Sequence, residues 1–336
     1  MIQGAGLASM GRSAAVVAAA LTAVSMAACS ARNDTPACDR ECLIGLAHDY
    51  LAALAANDPR AVPLADRIAV VENVMPTQVG EGLWLSMSST RSDFRIIVPD
   101  PARNSVGLIA VIERQSDDSA VPALLAARLQ LDDGVIIEAE HLVADLTEEA
   151  DPALLERPRP NLTAVVPESE RMSRDELEAI AASYYEGLNR SDAGLVPFAD
   201  DCEREENGMI TAGPGLEPAS FASIDVDGRS PPPVARDCIG QMNSARFAYI
   251  DSIDNRRIVA VDPVQGLAMG LSHFRQSMAN GPHRMIAADG SEVMWDELRD
   301  PYDLPAAHIF RITDGEIHEV EAIGIFVPYG SPTGWE

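Results

Sequence analysis

The same stretch of sequence occurs twice in this chain. Residues 46–73 align without a gap on residues 180–207, superposing Tyr50 on Tyr184, Leu54 on Leu188, Asp58 on Asp192 and Glu72-Asn73 on Glu206-Asn207, all at an offset of 134 residues. Further along, Asp100-Pro101 meets Asp262-Pro263, and Asp133-Gly134 meets Asp314-Gly315 at an offset of 181. The second copy has therefore gained insertions, the largest between Gln276 and Leu304. Two long copies mean two domains or a fused dimer, whereas a solenoid stacks many short ones.

Within each copy, helical periodicity comes first and strand alternation after. Ser173 with Glu176 fits an N-cap and its capping-box partner, and Leu177, Ile180, Ala181, Tyr184 and Leu188 follow at helical spacing. Alternating apolar runs at 106–112, 126–131, 135–142, 308–312 and 317–325 read as strands, and the two Asp-Gly pairs read as hairpin turns. The fold class is α+β: two modules in tandem, each with helices packed on one face of a curved, mostly antiparallel sheet. The first module spans 37–146 and the second 172–336, with its insertion near 276–303. Residues 147–171, proline-bearing and acidic, read as an extended, solvent-exposed linker.

Residues 1–29 carry one charge, Arg12, then an apolar run ending in Met26-Ala27-Ala28-Cys29, the small-small-Cys ending of a lipoprotein cleavage site. A signal peptide over 1–29, lipidation at Cys29 and a polar tether over 30–36 are expected, an ordinary signal peptide being the alternative. The apolar run is too short for a comfortable span, so the membrane enters only through the lipid anchor. The expected location is the periplasmic side of the cell envelope, or a soluble exported protein.

Composition removes several function classes. The formal net charge is −27, which repels phosphate backbones, so no nucleic-acid partner is expected. All 25 basic residues are arginine, which excludes Schiff-base and P-loop lysine chemistry. Beyond Cys29 there remain Cys38, Cys42, Cys202 and Cys238, an even set for an oxidising compartment. Three connectivities are possible, and Cys38–Cys42 with Cys202–Cys238 is preferred because each pair then lies inside one copy. Their spacing matches no zinc pattern, and no metal site is expected.

The string Tyr50-Leu51-Ala52-Ala53-Leu54, with Asp58, Leu64-Ala65-Asp66 and Val71-Glu72-Asn73, resembles the opening of SnoaL-like and ketosteroid isomerase-like members of the NTF2-like superfamily. The strand His308 to Ile312 before Asp314-Gly315 resembles that family's penultimate strand. The resemblance implies a cone-shaped fold, chemistry by side chains and water without a cofactor, and three site positions: a helix-one Tyr, a base closing the first strand, and a polar group on the penultimate strand. Those positions fall on Tyr184, Asn207 and His308 in copy two, and on Tyr50, Asn73 and Ala127 in copy one. An amide has no useful basicity, so the isomerase's own base is not carried over.

His308 is thus the first candidate for moving a proton, with Tyr184 donating to a developing oxyanion and Asn207 orienting the substrate. A buried histidine satisfied by a neighbour is the competing reading. His273, on the strand 266–274, is either a second polar group in the cavity or points outward. Trp295 sits in the insertion, which at the mouth of a cone is either a lid or a contact with the other copy. Two functions follow. One is a cofactor-independent lyase or isomerase, effecting dehydration, hydration or double-bond migration on a small hydrophobic molecule in copy two. The other is a non-catalytic binding or scaffold lipoprotein, its two modules paired as a pseudo-dimer.

Overall fold

The computed structural model describes Met1 and residues 38–116, 119–216, 232–296 and 299–336. The expected signal peptide, the lipidation at Cys29 and the tether lie outside the described residues, Met1 aside. In copy one, Asp39 accepts from the Cys42 N–H and starts helix α1 (Arg40–Ala55). Strands β1 (Leu64–Glu72) and β2 (Met75–Thr77) and the single turn α2 (Leu83–Ser86) follow. The long strands β3 (Met87–Asp100), β4 (Ser105–Ser116), β5 (Ser119–Asp132) and β6 (Val135–Asp145) complete the module.

Copy two repeats the order. The capping box of Ser173 and Glu176 forms as expected and opens α3 (Arg174–Arg190). After it come β7 (Phe198–Glu206), β8 (Met209–Ala212), α4 (Cys238–Asn243), β9 (Ser252–Asp262) and β10 (Leu267–Gln276). The insertion forms a hairpin of β11 (His283–Ile286) and β12 (Glu292–Trp295), before β13 (Tyr302–Thr313), β14 (Glu316–Gly324) and the short β15 (Val327–Pro328).

The two sheets run β2-β1-β6-β5-β4-β3 and β8-β7-β14-β13-β10-β9, with β15 beside β13. Among the described strands, β1 with β6 and β7 with β14 pair in parallel, and the other pairs are antiparallel. Both copies have the expected α+β arrangement, a helix ahead of a mostly antiparallel sheet.

Strand alternation gives each sheet two apolar faces. In copy one, Leu108, Ala110 and Ile112 pack with Tyr50 and Leu54 of α1, while Ile109 and Val111 face the other way. Those outward residues join Phe94, Ile96 and Leu124 in one buried cluster with Val259, Met269, Leu271, Ile309 and Ile323 of copy two. The sheets therefore share a core, and the helices cover their outer faces.

Residues 147–171 are mostly exposed, as expected, but they are not a simple extended strap. They carry 3-10 turns at Pro160–Thr163 and Glu168–Glu170, and Leu155, Leu162 and Val166 are buried. Leu155 and Leu162 enter the shared core, and removing their side chains from water pins the segment there.

Both preferred disulfides are present. Cys38–Cys42 closes the start of α1, and Cys202–Cys238 ties β7 to α4 across 36 residues. No described helix is long and apolar enough to cross a membrane.

Candidate functional site

A cavity of about 270 Å³ opens in copy two between α3, β7, β10, β13 and the insertion. On β13 the two-residue period turns Ala306, His308 and Phe310 towards α3, and Ala307 and Ile309 towards copy one. His308 lines the cavity and is 5% exposed. Its Nδ1 lies 3.2 Å from the Tyr185 hydroxyl. Gly270, directly opposite His308 in the sheet, makes room for this contact, because a Cβ there would overlap the Tyr185 hydroxyl. Among the described residues His308 Nε2 has no hydrogen-bond partner. Burial, helped by the charge of Arg204, pushes the imidazole down to about 3, so the ring is neutral at physiological pH.

Tyr184 lines the same cavity, its ring centroid 5.4 Å from that of His308. Its hydroxyl accepts from Arg204 Nη1 at 3.4 Å, and burial raises its pKa. Arg204 projects from β7 on the face of Cys202 and Glu206. Its Nε donates to Thr211 Oγ1 and its Nη2 to Gln241 Oε1 on α4, both at 2.8 Å. Of the charged residues described along the cavity wall, three are arginines, Arg204, Arg246 and Arg299, and one is a carboxylate, Glu206. Phe247, Tyr249, Phe274, Trp295, Tyr302 and Phe326 give the wall its aromatic character.

Asn207 also borders the cavity, but its amide is engaged: Nδ2 donates to the Gly324 carbonyl at 3.0 Å, and Oδ1 accepts from the Gly324 N–H at 3.1 Å. Asn73 does the same in copy one, donating to the Val143 carbonyl and accepting from its N–H at 2.8 Å. Both asparagines have positive φ, 46° and 50°, where Asn is favoured among non-glycine residues.

His273 faces away from the cavity. It sits one residue out of phase with Ser272 and Phe274, on the face of Leu271, with Nε2 3.4 Å from Asp303. Burial lowers its pKa. Trp295 lines the cavity, and its hairpin is anchored within copy two by Ile286 N–H on the Ser244 carbonyl and Ala288 N–H on the Pro233 carbonyl.

Tyr50 takes part in a different constellation. Its hydroxyl is 2.9 Å from His141 Nε2, and His141 Nδ1 is 3.4 Å from Glu72, which accepts from the Leu83 N–H. Copy two has Ala322 where this histidine stands, so each copy carries one histidine facing its helix, on different strands.

Three residues in contact with the candidate site residues escaped the sequence reading: Arg204, Tyr185 and His141. Arg204 had a signal, since it shares strand parity with Glu206 and sits two residues from the repeated Glu-Asn pair. Glu319 and Glu321 are buried with Glu205 around Arg159 at 3.3 to 3.5 Å. Burial raises Glu205 and pushes Glu321 up to about 8.

A family model described as Domain of unknown function (DUF8021) matches residues 170–324, from just before α3 to the end of β14. No curated protein matches the sequence. Among solved structures, AclR from Streptomyces galilaeus, a proposed hydroxylase, is 12% identical with a TM-score of 0.29, covering 46% of this chain and 83% of its own. A proposed SnoaL-like polyketide cyclase from Jannaschia sp. CCS1 is 11% identical with a TM-score of 0.26, covering 48% and 90%. An uncharacterized protein with a cystatin-like fold from Caulobacter vibrioides is 12% identical with a TM-score of 0.25, covering 46% and 88%. Similarities at these scores carry no weight for activity.

Proposed function

We propose that the cavity of the second copy is the active site of a cofactor-independent lyase or isomerase acting on a small hydrophobic molecule. The observation that carries this reading is His308: a neutral imidazole lining the cavity, held at Nδ1 by Tyr185, with Nε2 unpartnered among the described residues. With the proton on Nδ1 donated to the Tyr185 oxygen, Nε2 holds a lone pair for a proton on carbon beside a carbonyl. Tyr184 donates to the enolate oxygen that forms. Returning the proton to a second carbon migrates the double bond; delivering it to a departing hydroxyl releases water. Asn207, committed to Gly324, holds the wall that the substrate meets.

Copy one serves as the partner that completes a fused dimer, its interior filled by Tyr50 and Trp84. The disulfides suit an oxidising compartment, and a lipid at Cys29 would hold the protein to the envelope. One observation favours the non-catalytic alternative: an imidazole pushed to about 3 is a weak base.

The test is a panel of β-hydroxy and β,γ-unsaturated carbonyl compounds with wild-type protein and His308→Gln. Turnover should fall by roughly 10²–10⁴-fold in the variant while binding persists, the range for loss of a general base. Binding without turnover in the wild type would leave the non-catalytic reading standing.

A further inference from the structure

We infer that the ligand of this cavity is an organic monoanion, a carboxylate or phenolate on a planar conjugated body, whose negative oxygen is seated on Arg204. The inference rests on the cavity being the small-molecule site and names the class of molecule it takes.

Arg204 is 9% exposed, and its three side-chain partners, Thr211, Tyr184 and Gln241, are all neutral. No carboxylate lies within ion-pair distance of it among the described residues; Glu206 acts on it only from further along the wall. Several part-buried arginines here hold carboxylates: Arg40 on Asp262, Arg174 on Asp100, Arg257 on Glu140 and Arg275 on Asp303. Arg311, buried and also without a carboxylate, donates to the backbone carbonyls of Ala164 and Gln265. A buried charge is costly unless it is paired, and Arg204, unlike Arg311, lies on a cavity wall.

Guanidinium offers five N–H donors, and three are engaged, so two remain for an oxyanion. Phe247 covers the guanidinium at 5.3 Å, which leaves the in-plane approach suited to a carboxylate. Phe274, Trp295, Tyr302 and Phe326 offer flat apolar surface for the rest of the molecule. The seated anion also offsets the positive charge that, after burial, suppresses protonation of His308. The ligand thereby makes the imidazole a better base when it binds.

The test compares 2-naphthoate with its neutral isostere 2-naphthamide by calorimetry, on the wild-type chain, Arg204→Gln and Arg204→Lys, with the His308 resonances followed alongside. Naphthoate should bind at least about tenfold more tightly than the amide, a preference lost in Arg204→Gln and largely kept in Arg204→Lys. Naphthoate alone should move the His308 midpoint upwards. Equal or tighter binding of the amide overturns the anion assignment and leaves the cavity as a small-molecule site. A preference that survives in Arg204→Gln overturns the role of Arg204. Binding of neither compound overturns the cavity reading with it. The wild-type comparison decides the matter even if Arg204→Gln fails to fold.

Discussion

Arg174, the first residue of α3, holds Asp100 of the other copy at 2.7 Å. Arg40, its counterpart at the start of α1, holds Asp262 at 2.8 Å. Since Asp100 and Asp262 also correspond, each copy reaches across with the same residue to grip the same acid. Reciprocal contact of this kind is the mark of a two-fold, self-complementary interface.

Both acids are buried, and Asp100 also accepts from the Val261 N–H. Asp100→Asn should therefore cost up to roughly 3–5 kcal/mol, the range for removing one partner of a buried pair. Urea unfolding would read this as a lower midpoint at unchanged slope. A loss within about 0.5 kcal/mol would show that the pair only decorates the apolar contact.

Two buried groups set opposite limbs of the pH–stability curve. His308 has a folded pKa of about 3, below its ordinary 6.5, so the unfolded chain takes up the proton first and stability falls as pH drops below about 6.5. Glu321 runs the other way: burial lifts it from 4.5 to about 8, so the folded state keeps a proton the unfolded chain has lost, and stability falls as pH rises through this window. Each slope is about 1.4 kcal/mol per pH unit. They oppose each other between about 4.5 and 6.5, where these two groups place the maximum. Glu321→Gln should flatten the alkaline limb and His308→Gln the acid limb in urea midpoints taken at pH 4, 5.5 and 7.5. Unchanged limbs in both variants would contradict the assignments.

Asn207→Ala removes a two-way hydrogen bond to Gly324 and leaves alanine at positive φ. The expected cost is about 1–3 kcal/mol, by lost hydrogen bonding and backbone strain. Asn73→Ala should cost a similar amount despite lying in copy one, far from the proposed chemistry in sequence. Loss of turnover at full stability in Asn207→Ala would instead place the amide on the substrate.

The repeat, the hairpin turns, the capping box and the disulfides were legible because each is encoded over a few residues, in spacing or turn chemistry. The asparagines were legible as repeated positions but not as clamps, since their partners, Gly324 and Val143, lie 117 and 70 residues away. Tyr185 was hidden beside Tyr184: helical spacing points both inwards, and only the absence of a side chain at Gly270 decides which reaches His308. His273 shows the limit of strand parity, where one residue of phase separates a cavity wall from the core between the copies. The buried acids around Arg159 depended on a linker whose path the sequence did not show.

The central claim is that His308 stands neutral in the second copy's cavity with Nε2 available to a ligand. The most direct measurement is two-dimensional nitrogen-15 NMR of the histidine side chains between pH 5 and 8, with and without 2-naphthoate. The account predicts a free-protein His308 that stays neutral over this range, protonated at Nδ1, with Nε2 shifting on addition of the compound. A His308 that is charged in the free protein, or that carries its proton on Nε2 and ignores the ligand, would contradict it.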